Sequence, residues 1–184
     1  MKEPLVIALD GHDGAGKTSL AGALASQIGG TCVQPFSGTA GRALLNAGIR
    51  GDAEALVTIG TEAIEKAISS VPGTNPIILD RGWMTAASFV PASDFFFSTW
   101  KRWIPTTLCW ADLENTLSRL SIRQEERSES VNWHRSYLDS YMKLAKDSGC
   151  PVLRTDLLDS EECLRRLVTW AESAPEKPFF ASSH

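Results

Sequence analysis

Eight consecutive residues, Gly11-His12-Asp13-Gly14-Ala15-Gly16-Lys17-Thr18, carry the pattern G-x-x-x-x-G-K-[ST] between a short apolar run and a stretch of helical period. Glycines at these positions let the backbone curl. The N–H groups from Asp13 through Gly14, Ala15, Gly16, Lys17, Thr18 and Ser19 can then face phosphate oxygens at the positive end of the next helix. A lysine placed like Lys17 reaches β- and γ-phosphates, and a hydroxyl placed like Thr18 ligates Mg²⁺. The expected donor is therefore ATP with Mg²⁺. The loop alone does not say where the phosphoryl group goes.

A second group lies further along the chain. Asp80-Arg81 closes an apolar run, and Arg119, Arg123 and Arg127 follow at four-residue steps. In an open α/β sheet, ligands bind beyond the carboxyl ends of the strands, so Asp80 and Arg81 are expected to face the phosphate loop. A carboxylate there can hold Mg²⁺ or its water, or orient an acceptor. An arginine beside it can neutralise an anionic acceptor, and arginines closing over the site stabilise a transferring phosphoryl group. The bland alternatives are a surface ion pair at Asp80-Arg81 and a solvated helix face shared by the later arginines with Glu125, Glu126 and Glu129. No N-K-x-D guanine reader and no LSGGQ-like signature occurs, which argues against a GTPase switch and an ABC-type ATPase. The whole set reads as a phosphotransferase.

Short apolar runs alternating with helical stretches predict an α/β fold, a five-stranded parallel sheet with helices on both faces. Strands are expected over residues 4–10, 31–34, 76–80, 106–112 and 151–155. Helices are expected over 17–28, 42–47, 53–70, 83–90, 113–122 and 160–170, with Ser160 as the last N-cap. Trp133, Tyr137, Leu138, Tyr141 and Leu144 mark a further helix by their three- and four-residue steps. The aromatic stretch 95–103 predicts another, whose rings suit core packing better than base stacking and could equally serve an interface.

The chain has 184 residues, 43% hydrophobic and 22% charged, which fits one domain over 1–184 and excludes disorder or collagen-like repeats. Eighteen basic against 22 acidic residues give a net charge of −4, without the surplus of a dedicated nucleic-acid binder. The apolar run at residues 5–9 is too short for an export segment, and no run is long enough to cross a membrane, so a cytoplasmic setting is expected. Cys32, Cys109, Cys150 and Cys163 form no CxxC pair, and reduced thiols are expected. His12, His134 and His184 lack metal-ligand spacing. The tail, 174–184, has no helical period and is either loose or docked by Phe179-Phe180.

The phosphate loop together with Asp80-Arg81-Gly82 resembles thymidylate kinase, within the wider P-loop nucleoside and nucleotide kinases. Pro35, Gly38 and Thr39 resemble that family's Pro-Gly-Gly-Thr segment. Residues 117–123 resemble its helix into the lid, and residues 141–145 the helix after it. The resemblance implies the three-layer P-loop kinase fold, a short arginine-bearing lid near residues 123–131, and a homodimer. It also implies that Asp13 contacts the acceptor sugar, Arg81 its phosphate, and Arg123 and Arg127 the ATP phosphates. The base-reading half of the family pattern is altered. Val33-Gln34 replaces an Arg-Glu pair, Leu56 and Gly60 fall near the thymine-stacking Phe and the edge-reading Arg, Gly82 replaces a tyrosine, and Phe89-Val90 a Tyr-Gln pair. Such losses argue against dTMP.

The expectation is ATP-dependent phosphoryl transfer to a nucleotide or nucleotide-like acceptor. Lys17, Asp80, Arg81, Arg123 and Arg127 carry the chemistry, Thr18 and Asp80 the metal, and Asp13, Phe36, Arg42, Arg81, Trp83 and Phe89 the acceptor. One alternative is a kinase of hydroxyl groups on a nucleoside, a modified base, even within DNA, or a small metabolite. Another is a nucleotide-binding protein without transfer activity.

Overall fold

Two strands apolar on both faces, β1 (Val6–Asp10) and β3 (Ile77–Asp80), form the centre of a five-stranded sheet. The computed structural model describes residues 4–122, 129–173 and 175–178. With β2 (Thr31–Val33), β4 (Thr106–Trp110) and β5 (Val152–Arg154), the order is β2-β3-β1-β4-β5 and every pairing is parallel. Leu9 pairs in register with Asp80, so β1 and β3 end side by side. The chain leaves β1 toward β2 and later returns past it to β4. The loop after β1 therefore occupies the switch point where α/β sheets open a crevice.

Side chains of β1 alternate between two cores, as a pleated strand requires. Ile7 and Leu9 pack with Leu20 and Leu24 of α1 (Lys17–Ile28) and with Cys163 and Leu167 of α8 (Ser160–Glu172). Ala8 faces the other layer, with Ile77, Leu79 and Leu108. That layer is built from α2 (Gly38–Ile49), α3 (Ala53–Ser69), α4 (Trp83–Ala87), α5 (Asp94–Thr99) and α7 (Val131–Ser148). The remaining helix, α6 (Leu113–Ile122), lies beside the phosphate loop, where Leu120 and Thr116 approach Gly14. Among the described residues no helix is long and apolar enough to cross a membrane.

Several boundaries differ from the sequence expectation. The helix expected over 83–90 is only the five residues of α4, and the aromatic helix ends at Thr99. There Trp100 turns extended and its indole N–H donates to the Arg102 carbonyl at 3.0 Å. The helix expected over 42–47 begins earlier, at Gly38. The N-cap of α8 is Asp159, whose carboxylate accepts from the Glu162 N–H at 2.8 Å, and Ser160 is the first helical residue.

Candidate functional site

The phosphate loop starts where β1 ends. Gly11 has φ of 140°, and a Cβ there would meet the Cys109 carbonyl oxygen at 2.1 Å, so only glycine can begin the turn. Lys17 opens α1 with its stem buried, and its ammonium donates to the His12 carbonyl at 2.8 Å. Burial, assisted by the nearby Arg81 charge, lowers the Lys17 pKa to about 8. A phosphate anion at this position would meet a lysine already directed into the loop.

At the end of β3, Asp80 Oδ2 accepts from the Thr18 hydroxyl at 2.6 Å and from the Gln34 side-chain amide at 2.9 Å. Asp80 Oδ1 is buried and has no hydrogen-bond partner among the described residues. An orphaned carboxylate oxygen is costly unless a cation or water completes it. Oxygen donors of this kind suit Mg²⁺, which prefers a carboxylate or hydroxyl with phosphate oxygens and water. Thr18 and Asp80 therefore fit the ion.

Arg81, among the described residues, is the only non-glycine residue in left-handed backbone, with φ of 84°. Holding an arginine there costs on the order of 1 kcal/mol or more, which the surroundings must offset. Its guanidinium pairs with Asp13 and donates to the Gly11 carbonyl at 3.3 Å, joining the end of β3 to the phosphate loop. Burial alone would lower its pKa, but Tyr141 and the carboxylates of Asp13, Asp10 and Asp80 leave it raised. Beneath lies Asp10, fully buried, accepting from the N–H groups of Gly82 and Met84 at 2.9 and 3.1 Å and from the Thr85 hydroxyl at 2.5 Å. Burial raises its pKa despite these bonds. Gly82 leaves no room for a side chain, since a Cβ would stand 2.9 Å from that of Ala8.

Among the described residues, two cavities are lined by the turn of the loop. The larger, about 740 Å³, is walled by Gly14, Gly16, Ser19, Leu20 and Ala23, by Arg119 and Ile122 of α6, and by Thr155, Leu158 and the start of α8. The smaller, about 310 Å³, has His12, Asp13 and Arg81 at its floor. Its walls are Phe36 and Leu44 on one side, Thr85, Ser88 and Phe89 on another, and Trp133, Tyr137 and Tyr141 of α7 on the third. Lys17, Thr18 and Asp80 line neither of these two, and Thr18 borders a third cavity, about 840 Å³, with Gln34, Pro35 and Ser37.

The expected site residues divide accordingly. Asp13, Phe36, Arg81 and Phe89 meet around the smaller cavity, and Gly14, Gly16 and Ser19 around the larger. Trp83 lines neither cavity. It is fully buried and packs edge-on against Trp103 at 5.1 Å, because α4 turns that indole into the core. Arg42 also departs from expectation, lying on the exposed face of α2 and donating to the Thr39 hydroxyl at 3.3 Å. Arg123 and Arg127 lie outside the described residues. Leu56 and Gly60 are buried, with Gly60 under the Trp100 ring, so α3 offers no side chain to an acceptor there.

Other residues gained a role that their spacing did not announce. Arg119 is no solvated face: it donates to the Gly14 carbonyl at 3.1 Å and to the Thr155 carbonyl at 2.7 Å, tying α6 to the phosphate loop and to the end of β5. His12 shares a 2.8 Å hydrogen bond with His134 of α7, and burial lowers its pKa to about 4. Trp133 and Tyr137 stand 4.3 Å apart on the cavity wall. Their helical spacing was visible in sequence, but the face they present was not.

No protein-family model and no curated protein sequence matches the chain. Solved structures do. A thymidylate kinase from Candida albicans aligns with a TM-score of 0.67 at 13% identity over 93% of this chain and 92% of its own. A deoxyadenosine kinase from M. mycoides with bound dCTP gives 0.62 at 13%, over 92% of this chain and all of its own. A shikimate kinase from Bacteroides thetaiotaomicron gives 0.59 at 18%, over 91% and 98%. At these identities the likeness is one of fold.

Proposed function

We propose that this chain, which has the fold of the P-loop kinases, transfers the γ-phosphoryl group of ATP to a nucleoside-sized acceptor. The carrying observation is that one phosphate loop lines two cavities, with Gly14 and Gly16 on the larger and His12 and Asp13 on the smaller, and that its Lys17 and Thr18 are held by the His12 carbonyl and by Asp80. The donor's base and sugar would occupy the larger cavity against Arg119 and Leu158, with its phosphates on the loop amides. The acceptor would enter the smaller cavity between Phe36, Phe89 and Tyr137.

Lys17 would exchange the His12 carbonyl for phosphate oxygens, and Thr18 and Asp80 would hold Mg²⁺, which when bound neutralises phosphate charge. Arg81, fixed by Asp13 and Gly11, would orient the acceptor. The protein then contributes position and electrostatics, with no covalent intermediate. Leu56 and Gly60, buried under α5, supply nothing to read thymine. A cytoplasmic setting suits ATP chemistry and four free cysteines. The test is a screen with γ-labelled ATP and Mg²⁺ against nucleosides, nucleotides and small hydroxyl metabolites. Label on one acceptor class supports the reading, and ATP binding without label on any acceptor removes it.

A further inference from the structure

We infer that Asp10 is a positioning residue, which holds the turn at Arg81 and so fixes the guanidinium that an acceptor meets. The inference rests on the phosphotransferase reading and adds a residue that acts on the acceptor only through another. Asp10 is fully buried and lines neither cavity. Side chains alternate along β1, so Asp10 shares the face of Ala8, toward α4. Leu9 pairs with Asp80, so the Asp10 carboxylate stands beside the point where the chain leaves β3.

That point needs holding. Arg81 is in left-handed backbone, with φ of 84°, a conformation that persists in a residue with a side chain only when its surroundings fix it. On one flank the Arg81 N–H donates to the Leu9 carbonyl at 2.9 Å. On the other, Asp10 Oδ2 accepts from the N–H groups of Gly82 and Met84 at 2.9 and 3.1 Å, and Oδ1 from the Thr85 hydroxyl at 2.5 Å. One carboxylate thus fixes three of the four residues that follow Arg81. A local cap could not replace it. The N-cap position of α4 is Gly82, where a Cβ would stand 2.9 Å from that of Ala8. The first turn of α4 is therefore capped from the neighbouring strand, although a buried carboxylate is costly.

The same carboxylate reaches the guanidinium through Thr85. That hydroxyl, held by Asp10 Oδ1, stands 3.2 Å from the Tyr141 hydroxyl and accepts from Arg81 at 3.5 Å. Arg81 then closes onto the phosphate loop through Asp13 and the Gly11 carbonyl, and borders the smaller cavity. Charge adds to geometry, since Asp10 is among the carboxylates that favour the charged guanidinium. Asp10→Asn keeps the shape but leaves one oxygen for three donors, and the new amide would compete with Arg81 for the Thr85 oxygen.

The test is a double-mutant cycle of Asp10→Asn and Arg81→Ala, read as kcat and KM for an acceptor labelled from γ-labelled ATP, with circular dichroism confirming the folds. Asp10→Asn should lower kcat/KM for the acceptor ~10-fold, while the Kd of Mg·ATP from calorimetry changes less than ~2-fold. In the Arg81→Ala background the same substitution should change kcat/KM less than ~2-fold, because the group it acts through is gone. A second readout needs no acceptor. The ¹⁵N heteronuclear NOE of the Arg81 Nε–H, assigned by its loss in Arg81→Ala, should fall in Asp10→Asn. If Asp10→Asn does not fold, Thr85→Val takes its place in both measurements, and Thr85→Ser, which keeps the hydroxyl, should restore the wild-type values. An unchanged NOE, an equal loss in both Arg81 backgrounds, or a parallel loss of ATP affinity overturns the inference. Any of these with wild-type transfer intact leaves the phosphotransferase reading standing. ATP binding by the wild type without label on any acceptor removes that reading, and this inference with it.

Discussion

Asp80→Asn is the most informative single-atom change, because it keeps an oxygen for the Thr18 hydroxyl but removes the charge beside the unpartnered Oδ1. A fall of ~10²-fold in kcat is expected, with saturation shifted to higher Mg²⁺, read from rates across a metal titration. His12 makes a prediction about acid stability. Its imidazole drops from 6.5 to about 4 on folding, so between those values the unfolded chain binds the proton first and acid favours unfolding. Relative to His12→Asn, the wild type should lose about 2–3 kcal/mol between pH 7 and 4.5, measured by urea melts. The phosphate-loop residues were legible because their spacing is contiguous and its chemistry local. Trp83 and Phe89 show the opposite case. Both are aromatic and follow Arg81 closely, yet one enters the core and the other the cavity wall, and that choice depends on where α4 and α7 pack.

At the scale of elements, the α3–α5 contact explains why Leu56 and Gly60 present no side chain to the smaller cavity. Trp100 lies against Gly60, and a Cβ there would come within 2.8 Å of the ring. Gly60→Ala should therefore destabilise the protein by about 1–3 kcal/mol in denaturant melts, since a fully buried indole cannot move aside freely. Arg119 acts between elements, joining α6 to the loop and to Thr155. Arg119→Ala should raise the KM for ATP ~10-fold with a smaller effect on kcat, because it lines the cavity assigned to the donor. Long periodic helices such as α3 were readable to within a residue. The five-residue α4 was not, since it is too short to show a period, and neighbouring Asp159 and Ser160 are both good caps by type.

For the molecule as a whole, alternating apolar runs and helical stretches predicted the parallel sheet with helices on both faces, and the observed strand order places the loop after β1 at the switch point. What remained hidden in the sequence was how the turn divides among the described residues, with Gly14 and Gly16 lining one cavity and His12 and Asp13 another. That division arises from contacts made across long sequence separations, such as His12 with His134 and Gly14 with Arg119. We propose one loop that serves a donor on one side and an acceptor on the other. Its most direct test is transfer of γ-label from ATP by the wild type and by Lys17→Ala, with circular dichroism confirming that both are folded. The wild type should label an acceptor, and Lys17→Ala should do so ~10²–10³-fold more slowly. Equal rates in the two proteins would contradict the claim.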